Sequence, residues 1–199
     1  MHPSPDIAMS TAQPANFSMC VYCGSRPGAD LRFAQSARDT GALIGSKGWE
    51  LVYGGGKVGL MGMVADATLA AGGTVYGVIP QTLMDKEVGH TGLTSLHVVD
   101  NMHTRKTMMF ARAHAFVALP GGIGTFEELF EIWTWYQLGM HHKPFGLLNV
   151  AGYYDPLIAM LDSMVVQGFL SPVVRALLQV GTDAPALLAA LATQAGVDQ

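Results

Sequence analysis

The chain has 199 residues, a formal net charge of −4, 50% hydrophobic residues and only 13% charged residues. Globular proteins usually carry about 25% charged residues, so this composition predicts extra apolar surface that an obligate homo-oligomer would bury. It gives no basic surface for nucleic acid, and no uncharged apolar run reaches the roughly 18 residues that a membrane-spanning helix needs.

Residues 1–16 lack the basic start and the apolar core of a signal peptide, and they contain three prolines. They offer little apolar surface to bury, so we expect a disordered tail over 1–16. The remainder, 17–199, has the length of a single domain. With no leader and no membrane segment, a cytoplasmic location is expected.

In chain order, apolar runs predict six strands, over 17–23, 49–53, 74–79, 93–99, 115–119 and 145–150. Helical patterns predict helices over 30–47, from about 59 to 71, and over 101–114, 126–138, 154–167, 172–180 and 184–193. Gly48 is expected to end the first helix, Asp100 to cap the third, and 81–92 to form a loop. This alternation predicts a Rossmann-like three-layer α/β sandwich with a mostly parallel sheet, which binds ligands at the carboxyl ends of its strands.

Two cysteines, Cys20 and Cys23, have the C-x-x-C spacing of a redox pair or of half a zinc site. In a strand, however, residues three apart point to opposite faces, and no second cysteine pair exists to complete a zinc site. The adjacent histidines 141 and 142 lie at a predicted helix end, where neighbouring side chains do not converge. No metal site is therefore expected.

The glycines at 54–59 follow the second predicted strand and satisfy G-x-G-x-x-G, the fingerprint of a dinucleotide site. That fingerprint needs an acidic residue about 20 positions on, at the end of the next strand, to bind the ribose. No Asp or Glu lies between Ala67 and Met84. An NAD-dependent oxidoreductase is therefore an alternative, and Gly55 and Gly56 are predicted to let a nucleotide approach the backbone.

The most informative segment is P-G-G-I-G-T-F-E-E over 120–128, between a buried strand and an apolar helix. Glycines let the backbone approach an anion, and the free N–H groups at a helix start bind it. Thr125 is expected to cap the helix or to donate its hydroxyl to the anion. Glu127 and Glu128 either stabilise the helix dipole or act in a functional site beside the bound anion.

This segment resembles the P-G-G-x-G-T-x-x-E signature of the LOG ("Lonely Guy") family, phosphoribohydrolases that release cytokinin bases from their nucleotides. Four further segments are similar to that family in the same order: Y-G-G-G-K-V-G-L-M-G over 53–62, M-H-T-R-K over 102–106, T-W-Y-Q-L-G over 134–139 and K-P-F-G-L-L-N over 143–149. The similarity covers about 17–170, which is most of the chain.

The resemblance implies that Arg105 and Glu128 are the catalytic pair, with no metal and no cofactor. Together with the glycine turns, it gives these substrate-binding residues: Gly55, Gly56, Glu87, Arg105, Lys106, Gly121, Gly122, Ile123, Gly124, Thr125, Glu127, Glu128 and Thr134. It also implies a homodimer with the active site near the interface. The predicted helix over 126–138 agrees, because it is apolar nearly all round and would face both the sheet and a partner subunit.

The predicted function is hydrolysis of an (N6-substituted) adenosine 5'-monophosphate, a cytokinin riboside 5'-monophosphate, to free base and ribose 5-phosphate. A carboxylate beside the ribose can stabilise the oxocarbenium-like transition state, bind the hydroxyls or orient water. A guanidinium can bind the phosphate or stabilise charge on the leaving base.

Two other functions are weighed against this prediction. Members of the family have carried the label lysine decarboxylase, but none of the five lysines has a recognisable setting for pyridoxal phosphate. A non-catalytic nucleotide-binding module is the second, and the retention of both Arg105 and Glu128 argues against it.

Overall fold

The structure is a computed structural model that describes residues 17–86 and 88–196. The disordered tail expected over 1–16 lies outside these residues. Across the described part of the chain, no helix has the length and apolar character needed to cross a membrane.

Seven strands of the described chain form one sheet, and every pairing between neighbours is parallel. The strands are β1 (Ser18–Tyr22), β2 (Glu50–Tyr53), β3 (Thr74–Pro80), β4 (Ser95–Val99), β5 (Ala115–Ala118), β6 (Phe145–Leu148) and β7 (Leu178–Gly181). Their spatial order is β4-β3-β2-β1-β5-β6-β7. The order reverses between β1 and β5, which is the switch point where such sheets bind ligands. The predicted Rossmann-like fold class is confirmed.

Helices cover both faces of the sheet. They are α1 (Leu31–Ser46), α2 (Gly59–Ala70), α3 (Gln81–Met84), α4 (Met102–Arg112), α5 (Ile123–Gln137), α6 (Asp155–Val166), α7 (Pro172–Ala176) and α8 (Ala184–Gln194). One apolar core joins the sheet to α1, α2 and α8, and a second joins it to α4, α5 and α6. Cys23 belongs to the first core and Cys20 to the second, so the predicted opposite orientation of the two buried free thiols is confirmed.

The helix predicted over 172–180 is wrong in its second half. Helix α7 ends at Ala176, and the residues that follow form β7, an edge strand paired with β6 in the register Leu147↔Val180. Periodicity cannot separate helix from strand in a short apolar run, and here the free edge of β6 decides the outcome. Strand β6 also ends early, because Val150 enters a short 3-10 turn.

Three local predictions need correction. The segment 81–92 is not wholly a loop, because its first residues form α3. Helix α4 is capped by Asn101 rather than Asp100, since the Asn101 side chain accepts a hydrogen bond from Thr104 N at 2.9 Å. Helix α5 begins at Ile123 after Gly122, so Thr125 lies inside the helix and does not cap it. The expected end of α1 is confirmed by Gly48, whose φ of 67° suits glycine.

Candidate active site

A cavity of about 440 Å³ lies at the carboxyl edge of the sheet, beside the switch point between β1 and β5. Its lining comes from the segments that follow β1, β2, β3 and β5 and from the first turn of α4. The fold therefore brings together both glycine motifs, over 54–59 and 120–128, and the M-H-T-R-K segment. These segments are far apart in the sequence, and only the parallel sheet places them at one edge.

Arg105 is a buried cation that lines this cavity. It lies one turn into α4 and is only 7% exposed. Its Nη2 donates to the Gly54 carbonyl oxygen at 3.1 Å, and its Nη1 donates to the Met102 sulfur at 3.5 Å. Its buried Nε finds no hydrogen-bond partner within the described residues. Two guanidinium nitrogens of Arg105 are thus held by the protein, and its Nε remains an unused donor.

Gly54 is a glycine because Arg105 needs the space. A Cβ at position 54 would lie 1.7 Å from Arg105 Nη2, so any other residue would displace the guanidinium from its place beside Glu128. Gly59, the last glycine of the same motif, likewise packs against the chain itself, with the Ser25 carbonyl carbon 2.3 Å from its would-be Cβ. Two of the three fingerprint glycines are therefore explained by contacts within the protein, without a dinucleotide.

Glu128 is the carboxylate that faces Arg105. Its Oε1 lies 3.8 Å from Arg105 Nη2, and its side chain is 12% exposed. Burial raises the pKa of Glu128 to about 7; the Arg105 charge counteracts this rise and the Glu127 charge adds to it. A carboxyl that titrates near neutral pH can exchange protons or hold charge as a reaction requires, which is typical of catalytic acids and bases.

Lys106 and Glu127 lie at the rim of the site. Lys106 Nζ donates to Glu127 Oε1 at 2.5 Å and to Glu131 Oε1 at 2.9 Å. Glu127 lines the cavity, whereas Lys106 does not. The lysine that the resemblance implies as a substrate contact is therefore held by two carboxylates of α5, and one of its effects is to offset the charge of Glu127.

The start of α5 has the geometry of an anion site. Gly122 is the N-cap residue and offers no side chain to the N–H groups of the first turn. Apart from adjacent residues and the backbone of the helix itself, no described atom lies within 4 Å of a would-be Cβ at Gly122 or Gly124, and both residues line the cavity. Gly121 differs, because its Cβ would lie 2.1 Å from the Thr125 hydroxyl. The open glycines leave room for a ligand to approach the backbone, as the sequence predicts.

The other residues predicted to contact the substrate do not all line the cavity. Gly56 lines the cavity, but Gly55 packs beneath Ile79 with a φ of 73°. Thr134 is exposed on α5, where its hydroxyl donates to the Phe130 carbonyl oxygen at 2.7 Å, and it does not line the cavity of its own chain. The contact predicted for Glu87 falls outside the described residues.

Sequence reasoning missed the segment Gly24–Ser25–Arg26, which lines the cavity directly after β1. It also missed Gly54, because the predicted nucleotide contacts in that motif are Gly55 and Gly56 alone. The signal was present, because a strand followed by G-S-R-P-G must place Ser25 and Arg26 at the carboxyl edge. Across the described residues, no group of three or more His, Cys, Asp or Glu side chains is placed to hold a metal ion.

Comparison with known proteins shows which family the chain is similar to. A family model described as "Possible lysine decarboxylase" matches residues 61–191. The cytokinin riboside 5'-monophosphate phosphoribohydrolase of Rhodococcoides fascians is 45% identical over 193 residues, covering 96% of this chain and 98% of that protein. A protein of the same name from Arabidopsis thaliana is 46% identical over 157 residues, covering 79% and 74%.

Among solved structures, the molybdenum cofactor carrier protein of Chlamydomonas reinhardtii is similar, with a TM-score of 0.68, 21% identity, and coverage of 91% of this chain and 99% of that chain. The molybdenum cofactor binding protein of Rippkaea orientalis gives a TM-score of 0.65 with 18% identity, covering 89% and 96%. At these identities the likeness concerns the fold alone.

The description of the family model names a decarboxylase, a chemistry that would need pyridoxal phosphate on a lysine. No lysine of the described chain lines the cavity. Lys106, next to Arg105 in sequence, is instead bound by two carboxylates. The residues present do not fit that cofactor.

Replacing Glu128 by Gln is expected to stabilise the fold above neutral pH. The pKa of this carboxyl is about 7 in the fold against an ordinary 4.5, so between these values the folded chain keeps a proton that the unfolded chain has lost. The free energy of unfolding therefore falls as the pH rises through this window, by roughly 3 kcal/mol in total. Thermal melts at pH 8 should show Glu128→Gln several degrees more stable, and melts at pH 5 little change.

Glu127→Gln is the matched control, because the neighbouring carboxylate is 49% exposed and paired with Lys106. Its melting temperature should stay the same or fall slightly at both pH values. Equal melting temperatures for Glu128→Gln and its parent at pH 8 would contradict the raised pKa.

Proposed function

The chain belongs to the LOG family of phosphoribohydrolases, and we propose that it hydrolyses the N-glycosidic bond of N6-substituted adenosine 5'-monophosphates, which are cytokinin riboside 5'-monophosphates. The products are the free base and ribose 5-phosphate. The observation that carries this proposal is the pair formed by Glu128 and Arg105, buried 3.8 Å apart in the cavity that the open glycine turn of α5 also lines.

Glu128 acts on the sugar. Breaking the bond between base and ribose passes through an oxocarbenium-like state, in which positive charge develops at C1 and the ring oxygen. A carboxylate in a site shielded from water stabilises that charge more strongly than it would in solution. The same carboxylate can orient the water molecule that completes the hydrolysis.

Arg105 supports the ionised form of Glu128. Its guanidinium lowers the pKa of a carboxyl that burial alone would raise further. Because Gly54 and Met102 hold two of its nitrogens, the guanidinium stays beside Glu128 without filling the cavity. The same guanidinium is a donor beside Glu128 that could stabilise negative charge on the departing base.

Two parts of the cavity lining support the proposed substrate class. The glycine turn at the start of α5 suits one phosphate group, whose binding energy would align the bond to be broken. Apolar side chains form much of the remaining wall, which suits a base that carries an apolar N6 substituent. They are Val58, Met61, Ile79, Leu83, Val88 and Met102.

The proposed working form is a homodimer. Helix α5 exposes an apolar stripe made of Ile123, Phe130 and Leu138, which are 85%, 37% and 69% exposed. Thr134 lies on this same face, one turn after Phe130. The resemblance implies that Thr134 contacts substrate, and its exposed position suits contact with the site of a second subunit. Covering this stripe with a second copy would also account for the low charged fraction of the chain.

Glu128→Gln should lower kcat/KM on N6-isopentenyl-AMP by more than tenfold, because the amide cannot hold negative charge beside the ribose. Base release is measured by chromatography, and Asp162→Asn, a surface carboxylate 60% exposed, serves as the control. Retention of more than about a tenth of the parent kcat/KM would mean that Glu128 contributes under 1.4 kcal/mol, too little for a catalytic group.

The enzyme should require one 5'-phosphate. Hydrogen bonds to a charged group contribute roughly 1.5–3 kcal/mol each, so losing two of them should cost a hundred- to ten-thousand-fold in kcat/KM. The measurement compares base release from adenosine, AMP, ADP and ATP and from their N6-isopentenyl forms. Diphosphates and triphosphates should also be poor, since their extra charge lies near Glu127 and Glu128. A nucleoside within tenfold of its monophosphate would refute the phosphate site.

Release of free base also distinguishes the proposed enzyme from a non-catalytic nucleotide-binding module and from a phosphatase. A non-catalytic nucleotide-binding module would bind AMP and N6-isopentenyl-AMP and release base from neither. A phosphatase would yield nucleoside and inorganic phosphate. The proposal requires free base and ribose 5-phosphate in equal amounts.

Gly124→Ala should separate folding from substrate binding. A methyl group at this helical position meets no described atom within 4 Å outside its own helix, and alanine favours a helix over glycine by up to about 1 kcal/mol. The variant should therefore melt at the same temperature as the parent or higher. The methyl group would nevertheless occupy the approach to the backbone N–H groups, so KM for the monophosphate should rise at least tenfold. An unchanged KM would show that the phosphate binds elsewhere.

Leu138→Lys should convert the dimer to a monomer and lower its activity, because a charge would be buried in the proposed interface. Leu31→Lys is the matched control, since Leu31 is 86% exposed at the start of α1, away from α5. Sedimentation at micromolar concentration reports the mass. A parent protein that is active as a stable 21 kDa species would disprove the dimer.

A further inference from the structure

A second hollow of about 400 Å³ adjoins the active-site cavity. The segment Gly24–Ser25–Arg26, which follows β1, lines both spaces, and so does Gly122 at the start of α5. This segment therefore forms the wall between the two spaces, directly beside the glycine turn. Its position raises the question of what Arg26 does there.

The backbone of this segment is held on two sides. Gly24 N donates to the Pro120 carbonyl oxygen at 3.0 Å, and Leu60 N donates to the Gly24 carbonyl oxygen at 3.0 Å. The Ser25 and Arg26 backbone also fills the space next to Gly59, leaving no room there for a Cβ. Arg26 thus projects from a fixed backbone wedged between the glycine turn of α5 and the start of α2.

Among the described residues that line the cavity, Arg26 is the cation that no carboxylate binds. Lys106 binds Glu127, and Arg105 faces Glu128 and donates to Gly54. A bound 5'-phosphate would add about −1.5 to −2 charges near these two acids. Arg26 is exposed at the cavity wall, and no carboxylate of residues 17–86 or 88–196 lies within ion-pair distance of it.

We propose that Arg26 binds the 5'-phosphate of the substrate from the β1 side, opposite the backbone N–H groups of the α5 turn. This rests on the proposed function and adds a residue to it. A guanidinium can donate two parallel hydrogen bonds to one phosphate, and it supplies the positive charge that the glycine turn lacks. Arg26 then sets the preference for a phosphorylated substrate over a nucleoside, while Glu128 and Arg105 act at the glycosidic bond.

The test compares Arg26→Gln, Arg26→Lys and the control Arg38→Gln, which removes an exposed arginine of α1 that does not line either space. The readout is the ratio of kcat/KM for N6-isopentenyl-AMP to kcat/KM for its nucleoside. Arg26→Gln should lower this ratio at least tenfold, and Arg26→Lys should restore part of it. Arg38→Gln should leave the ratio unchanged. An unchanged ratio in Arg26→Gln, or equal losses on both substrates, would overturn the proposal.

Binding of ribose 5-phosphate, measured by calorimetry on the same preparations, keeps this proposal separate from the proposed function. A parent protein that releases no base from any nucleotide refutes the enzymatic function. The calorimetry still decides the role of Arg26. Binding at least tenfold weaker in Arg26→Gln than in Arg38→Gln supports the phosphate contact, and equal binding in both overturns it.

Discussion

The site depends on one electrostatic constraint, a carboxylate that the fold holds where its charge is unfavourable. Glu128 is buried, has Glu127 as its neighbour, and faces one guanidinium at 3.8 Å. The topology of the sheet places Glu128 there. The strand order reverses between β1 and β5, which leaves a space at the carboxyl edge of the sheet, and the first two turns of α5 lie at that space. Arg105 reaches the same space from α4, and it keeps the carboxyl partly ionised at neutral pH.

The glycines of the site fall into two physical classes. The first class is required by contacts within the protein. A Cβ would collide with Arg105 at Gly54, with the backbone of the segment that follows β1 at Gly59, and with Thr125 at Gly121. Gly122 and Gly124 line the cavity, and no contact among the described residues requires a glycine at either position. A glycine that the fold does not need, at the start of a helix, is best explained by a ligand that approaches the backbone.

Much of this could be predicted from the sequence, and the failures have physical causes. The alternation of strands and helices is sufficient to predict the Rossmann-like class. It does not predict β7, because a short apolar run can form a helix or a strand. Here a long-range contact, the pairing with β6, decides that the run forms a strand. The motif over 120–128 located the turn and Glu128. The contact between Arg105 and Gly54 joins residues 51 apart, so no local pattern could reveal why that glycine is needed. Thr134 and Lys106 show a further limit of prediction from sequence. A motif gives the position of a residue in the chain, but it does not show which residue or ligand the side chain contacts.

The most direct test of this account is the titration of Glu128 followed by the ¹³C chemical shift of its carboxyl group. The account predicts a midpoint near pH 7 in the parent protein. It also predicts a higher midpoint in Arg105→Gln, because removing the neighbouring cation disfavours the ionised form. A midpoint at the ordinary value of 4.5 in both proteins would contradict it.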